Sequence, residues 1–141
     1  MKVVKTSYVL FLASFFAATF LFNLSSMAQT KAKPWPVPDK DKALKATVKL
    51  SDAGVISSGK DLWAKHCKSC HGAKGLGDGP KAATLKTNPG DFSTAQFAAN
   101  TDGELFYRMN KGREDMPGYE KKIPDVSERW ALVAFMRTLK K

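Results

Sequence analysis

Cysteine and histidine are scarce in this chain, two of each among 141 residues. Two cysteines cannot form the disulfide framework that staples many small exported domains. A structural zinc site is excluded as well, because it needs four ligands at finger spacing, and here His66 and His71 flank a single Cys-x-x-Cys. Acidic residues are few, 13 Asp and Glu against 23 Lys and Arg, for a net charge of +10. No catalytic triad, paired-carboxylate site or nucleotide-binding motif is present. The glycine-rich stretch from Gly72 to Pro80 lacks the Gly-Lys-Ser/Thr ending and the preceding strand of a phosphate cradle. Convincing strands and internal repeats are missing too. Nucleic-acid binding is not indicated, since the basic charge is interspersed with acids and no recognition motif occurs.

What is present is Cys67-Lys68-Ser69-Cys70-His71, the Cys-x-x-Cys-His pattern of covalent haem attachment. Residues three apart on a helix share a face, so the two thiols can reach neighbouring edges of one macrocycle. His71 follows at once, where the chain can turn its imidazole under the iron. A thioredoxin-like site would need a strand before Cys67, and none precedes it. A plain disulfide between Cys67 and Cys70 would leave His71 without a role. The expected cofactor is one covalent haem c with its iron, Cys67 and Cys70 giving the thioethers and His71 an axial ligand.

The N-terminus reads as an export signal, residues 1–28. Lys2 and Lys5 precede an apolar run from Tyr8 to Phe22, and Ser26-Met27-Ala28 puts small residues where signal peptidase reads. That run is 15 residues, short of the ~20 that span a bilayer, although no charge occurs between Lys5 and Lys31. Cleavage after Ala28 is expected, leaving 113 residues and a net charge of +8. An uncleaved anchor on the outer face of the inner membrane is the alternative. A periplasmic location in a bacterium suits the chemistry, because haem is attached on the far side of the inner membrane.

Residues 29–56 form a Pro/Lys-rich arm. Lys33-Pro34-Trp35-Pro36-Val37-Pro38 can be neither helix nor central strand. It is either a flexible tether or an arm packed on the domain with Trp35 as its anchor. Residues 57–141 carry helical signals. Ser58 with Asp61 resembles a capping box ahead of Leu62 and Trp63. Thr101 and Glu104 cap a helix to Lys111, with Gly112 as its stop. The last helix starts near Asp125 or Ser127 and buries Leu132, Val133, Phe135, Met136 and Leu139. The fold class is a small all-α domain of modest core, in which haem would be structural as well as functional.

From Gly59 to the C-terminus, about 83 residues, the chain resembles class I (mitochondrial cytochrome c-like) monohaem cytochromes, particularly those that serve haem-copper oxidases as subunits or soluble donors. The resemblance implies that Gly59 and Trp63 on the first helix meet Leu132 and Phe135 on the last, the two crossing nearly at right angles. Gly79-Pro80 matches a Gly-Pro whose proline carbonyl accepts a hydrogen bond from the ligand histidine. Such a bond fixes the tautomer and raises ligand basicity. The family's distal ligand is a methionine in a Met-Pro turn, which is how Met116-Pro117 stands here. Met109 and Met136 fall at helical core spacing, with Met109 the fallback.

A closed His/Met iron implies single-electron transfer between exported or membrane-bound respiratory partners, and no enzymatic reaction of its own. Two alternatives remain, an integral cytochrome subunit of an oxidase or oxidoreductase complex, and a ligand-binding or peroxidatic haem protein. Lys65, Lys68, Lys74, Lys81, Lys86, Lys111, Arg113, Lys121 and Lys122 fall near haem-contacting segments. They imply redox partners with acidic docking surfaces, a haem-copper oxidase or membrane oxidoreductase among them.

Overall fold

The computed structural model describes residues 34–140, so the export signal expected at 1–28 lies outside the described residues. Six α-helices occur there: α1 Asp39–Lys42, α2 Ala53–His66, α3 Lys68–His71, α4 Ala95–Ala98, α5 Asp102–Lys111 and α6 Val126–Thr138, with one 3-10 turn at Ala82–Thr84. No β-strand forms among the described residues, and the one extended pairing is an isolated bridge between Arg113 and Met116. No helix among them is long and apolar enough to cross a membrane. The architecture is all-α.

The helix ends follow side-chain chemistry. Asp52 caps α2 by accepting from the N–H groups of Gly54 and Val55, so α2 starts at Ala53, earlier than the Ser58–Asp61 pair suggests. Ser57 and Ser58 are interior to it. Thr101 and Glu104 form the reciprocal capping box that opens α5, and Gly112, at φ +67°, ends it. Asp125 caps α6 through the Ser127 N–H at 2.7 Å.

The centre of the molecule is α6. Its residues from Arg129 to Met136 are all buried, with α2 and α5 packed against it. Leu132 and Val133 have no exposed surface, and each contributes about 2 kcal/mol by leaving water. Gly59 of α2 lies so close to α6 that a Cβ there would collide with the Ala131 carbonyl and press on Phe135. Phe135 in turn sits 5.7 Å, ring to ring, from Trp63. On the other side Phe106 stacks on Trp130 at 4.0 Å, and Arg129 reaches Asn110 at 3.0 Å. Arg137 ties α6 to Asp102 of α5 at 2.7 Å and to the carbonyl of Asn100 at 2.6 Å.

The arm is packed, not a loose tether, over its described part. Val37 is buried, the Thr101 hydroxyl donates to the Lys42 carbonyl at 2.9 Å, and Gly103 lets α5 approach the Asp41 and Lys42 carbonyls. Proline keeps this stretch extended, while its carbonyls serve as acceptors for the domain.

Candidate functional site

Of the residues singled out in the sequence, Trp63, Cys67, Cys70, His71 and Met116 line one cavity of about 230 Å³, whereas Gly59, Gly79, Pro80, Leu132 and Phe135 do not. Cys67, Cys70 and His71 line it from the α2–α3 corner, and Met116 and Pro117 from the loop after α5. Cys67 ends α2 and α3 follows immediately, so a helical kink rather than one straight helix presents the two thiols. Neither cysteine is in a disulfide. Burial pushes the Cys67 thiol up to about 12, the neighbouring Cys70 adding to the effect.

His71 is held among aromatic rings, 5.6 Å from Trp63 and 4.9 Å from Phe92. Trp63 is itself fixed by donating from its indole N–H to the Gly72 carbonyl at 3.0 Å. Burial lowers the His71 pKa to about 4, and the Pro89 carbonyl acts against it. Nδ1 of His71 is nevertheless buried with no hydrogen-bond partner. Pro89 lines the cavity. Pro80, the residue to which the resemblance assigns this role, is exposed and off the cavity wall. Gly79 packs instead on the Ser69 and Cys70 backbone, where its N–H donates to the Cys70 carbonyl at 3.2 Å.

Three methionines reach the cavity. Met109 is 1% exposed and Met136 5%, both within helices of the core. Met116 alone sits on a loop, and it is half-buried. Its turn is narrow: Arg113 and Met116 exchange backbone hydrogen bonds at 2.8 and 2.9 Å, with Glu114 in the left-handed region at φ +52°. Gly112 and Gly118 let the loop fold back on the end of α5, where a Cβ on either would strike backbone. Asp115 accepts from the Lys86 N–H at 2.7 Å, joining the Met116 turn to the loop of Pro89.

Several wall residues carry no sequence signal of their own. Phe92 follows a turn; its N–H donates to the Gly75 carbonyl at 2.8 Å, its ring stacks on Phe97 at 4.2 Å, and it meets Trp63 edge-on at 5.6 Å. Tyr119 donates to the His66 carbonyl at 2.8 Å and meets the His66 ring edge-on at 5.8 Å. Burial raises its pKa to about 12. Trp35, from the arm, also lines the cavity.

The residues fit covalent haem. Two thiols and an imidazole with an orphaned buried nitrogen share one largely apolar cavity, and its wall holds three thioethers. The comparisons with known proteins agree. The chain belongs to the cytochrome c family, whose sequence profile matches residues 56–140. It therefore carries covalently bound haem c with iron, in the fold of a class I cytochrome, and its chemistry is haem-based electron transfer.

Several solved structures are similar, among them these two. One is a chain of the Kuenenia stuttgartiensis reducing HAO-like protein complex Kustc0457/Kustc0458, 28% identical with a TM-score of 0.59, matched over 78% of this chain and 52% of that one. The present chain thus spans about half the length of that relative. The other is the KustC0563 c-type cytochrome, 30% identical with a TM-score of 0.52, over 59% of this chain and 98% of that one. No curated protein matches.

Proposed function

We propose that this protein is a one-electron carrier in which His71 and Met116 are the two axial ligands. The observation that carries the reading is that both side chains line one cavity, Met116 on a turn fastened at Gly112, Gly118 and Asp115. Met109 and Met136 serve as packing, held by the helices on which they sit.

Bound haem c supplies reversible one-electron chemistry. Cys67 and Cys70 anchor it, and the aromatic cage of Trp63 and Phe92 fixes the plane of His71. The Pro89 carbonyl takes the role of orienting acceptor for Nδ1, in place of Pro80. Met116 is a soft ligand that raises the potential relative to a second histidine. A rigid turn on one side and a caged ring on the other leave little to rearrange when charge changes, which favours transfer over substrate chemistry. Met116→Ala should lower the potential and Met109→Ala should leave it nearly unchanged. The reverse order would refute the assignment.

The chain acts on exported redox partners, its leader removed before Gln29, and N-terminal sequencing of the mature protein tests this. Lys68, Lys74, Lys81 and Lys86 are exposed and suit an acidic docking surface. Reduction by such a partner should slow as salt rises. Nothing in the comparisons singles out a haem-copper oxidase, so the partner class stays at redox proteins. A second reading, a subunit of a larger redox assembly, is favoured by the likeness to a chain of the HAO-like complex. Co-purification at native expression separates the two.

A further inference from the structure

The family match begins at residue 56, yet the cavity wall includes Trp35, 21 positions earlier. Its indole is half-buried, and the Arg113 guanidinium lies over the ring, 4.6 Å from its centroid. The same guanidinium donates to the Pro34 carbonyl at 3.0 Å. Arg108 donates to the Trp35 carbonyl at 3.4 Å, so two arginines of the α5 end grip the arm. Arg113 is also the residue that exchanges both backbone bonds with Met116. It is the one Lys or Arg on the cavity wall among the described residues. The arm, the arginine and the methionine turn are therefore one connected unit.

We propose that Trp35 and Arg113 form a latch that holds the Met116 turn closed, making the N-terminal arm part of the haem site rather than a leash outside it. Both are positioning residues and act through Met116. The physical reason is directional. The Asp115–Lys86 bond and the close packing at Gly112 and Gly118 hold the far end of the turn, and the grip on Arg113 holds its near end. A flat cation stacked on an indole and bonded to a backbone carbonyl resists lifting of that near end from the cavity, and each such contact is among the stronger ones available at a partly desolvated surface. Glu114, at φ +52°, adds a reason for the turn to need holding, since a residue with a side chain occupies that region at a cost.

The effect on the iron rests on the reading of Met116 as ligand, so the test has two readouts on the holoprotein. The first does not involve that reading. Amide hydrogen exchange at Arg113 and Met116 should accelerate roughly tenfold in Trp35→Ala, the scale of one lost, partly desolvated cation–π contact. It should stay within about twofold of wild type in Trp35→Phe, which keeps an aromatic face. Arg113→Lys, which keeps the charge and loses the flat face, should move in the direction of Trp35→Ala. Unchanged exchange in Trp35→Ala, or equal acceleration in Trp35→Phe, would overturn the latch whichever ligand the iron has.

The second readout is imidazole binding to the ferric protein, followed by loss of the weak charge-transfer band of methionine sulfur. Trp35→Ala should bind imidazole roughly tenfold more tightly than wild type, with Trp35→Phe close to wild type. Equal binding by all three proteins would overturn the claim that the latch acts on the ligand. A wild-type protein without the sulfur band would instead sink the Met116 assignment, while the exchange data still judge the latch.

Discussion

The carboxylate of Asp115 accepts a hydrogen bond from the backbone N–H of Lys86 at 2.7 Å, 29 residues away in sequence. It clasps the turn that carries Met116 to the loop that carries Pro89, and both loops line the cavity. Two loops of the cavity wall are thus tied to each other directly, not only through the helices.

Removing that clasp should be measurable. Asp115→Ala is expected to lower holoprotein stability by about 1 kcal/mol in guanidinium unfolding, because the bond is exposed although one partner is charged. Asp115→Asn retains a carbonyl acceptor and should recover most of the loss. Equal midpoints for the wild type and Asp115→Ala would show that the clasp does not hold in solution.

The crossing of α2 and α6 has no slack. A Cβ at Gly59 would overlap the Ala131 carbonyl, and a main-chain oxygen cannot rotate away as a side chain can. Gly59→Ala should therefore destabilise the protein by about 3 kcal/mol, at the upper end for overpacking, despite alanine's better helix propensity. A change under 1 kcal/mol in the same unfolding assay would mean the helices separate more easily than this packing implies.

These two sites differ in how far the sequence foretold them. Gly59, Trp63, Leu132 and Phe135 were singled out through the resemblance to class I cytochromes, the last two also as part of the apolar stripe of the final helix. The capping box of Thr101 and Glu104 was legible from its local spacing. Asp52 was not, since Ser58 offered a rival cap and only hydrogen-bond geometry decides between them. Pro89, Phe92, Asp115 and Tyr119 escaped notice because their roles come from contacts across loops. Asp115 meets Lys86 and Tyr119 meets the His66 carbonyl only once α2 and α5 have packed on α6. The arm was undecided between tether and anchor because proline excludes regular structure without saying what lies underneath.

Tyr119 gives the protein a pH signature. Its phenol is buried, which raises its pKa from the usual 10.0 to about 12. The folded state therefore keeps this proton at a pH where the unfolded chain has lost it. The stabilisation is complete below about pH 10 and is lost as pH rises from there through about 12. Tyr119→Phe should flatten the fall in stability over that window, while costing the bond to the His66 carbonyl at neutral pH. An unchanged alkaline limb in the variant would assign the pH dependence to other groups.

The two prolines are distinguishable by potentiometry. If the Pro89 carbonyl becomes the acceptor for Nδ1 of His71, it makes the imidazole more basic and favours ferric iron. Pro89→Ala frees the backbone that aims this carbonyl and should raise the potential. Pro80→Ala, at an exposed position off the cavity, should leave it unchanged. A shift in Pro80→Ala alone would restore Pro80 to the role.

The most direct test of the account is the absorption spectrum of the purified holoprotein, ferric and ferrous, with and without carbon monoxide. A weak ferric band from methionine sulfur, absent in Met116→Ala, and a ferrous spectrum indifferent to carbon monoxide are what the His71/Met116 assignment predicts. Ready carbon monoxide binding by the wild type, with no sulfur band, would contradict it and turn the search to ligand or peroxide chemistry at an open iron.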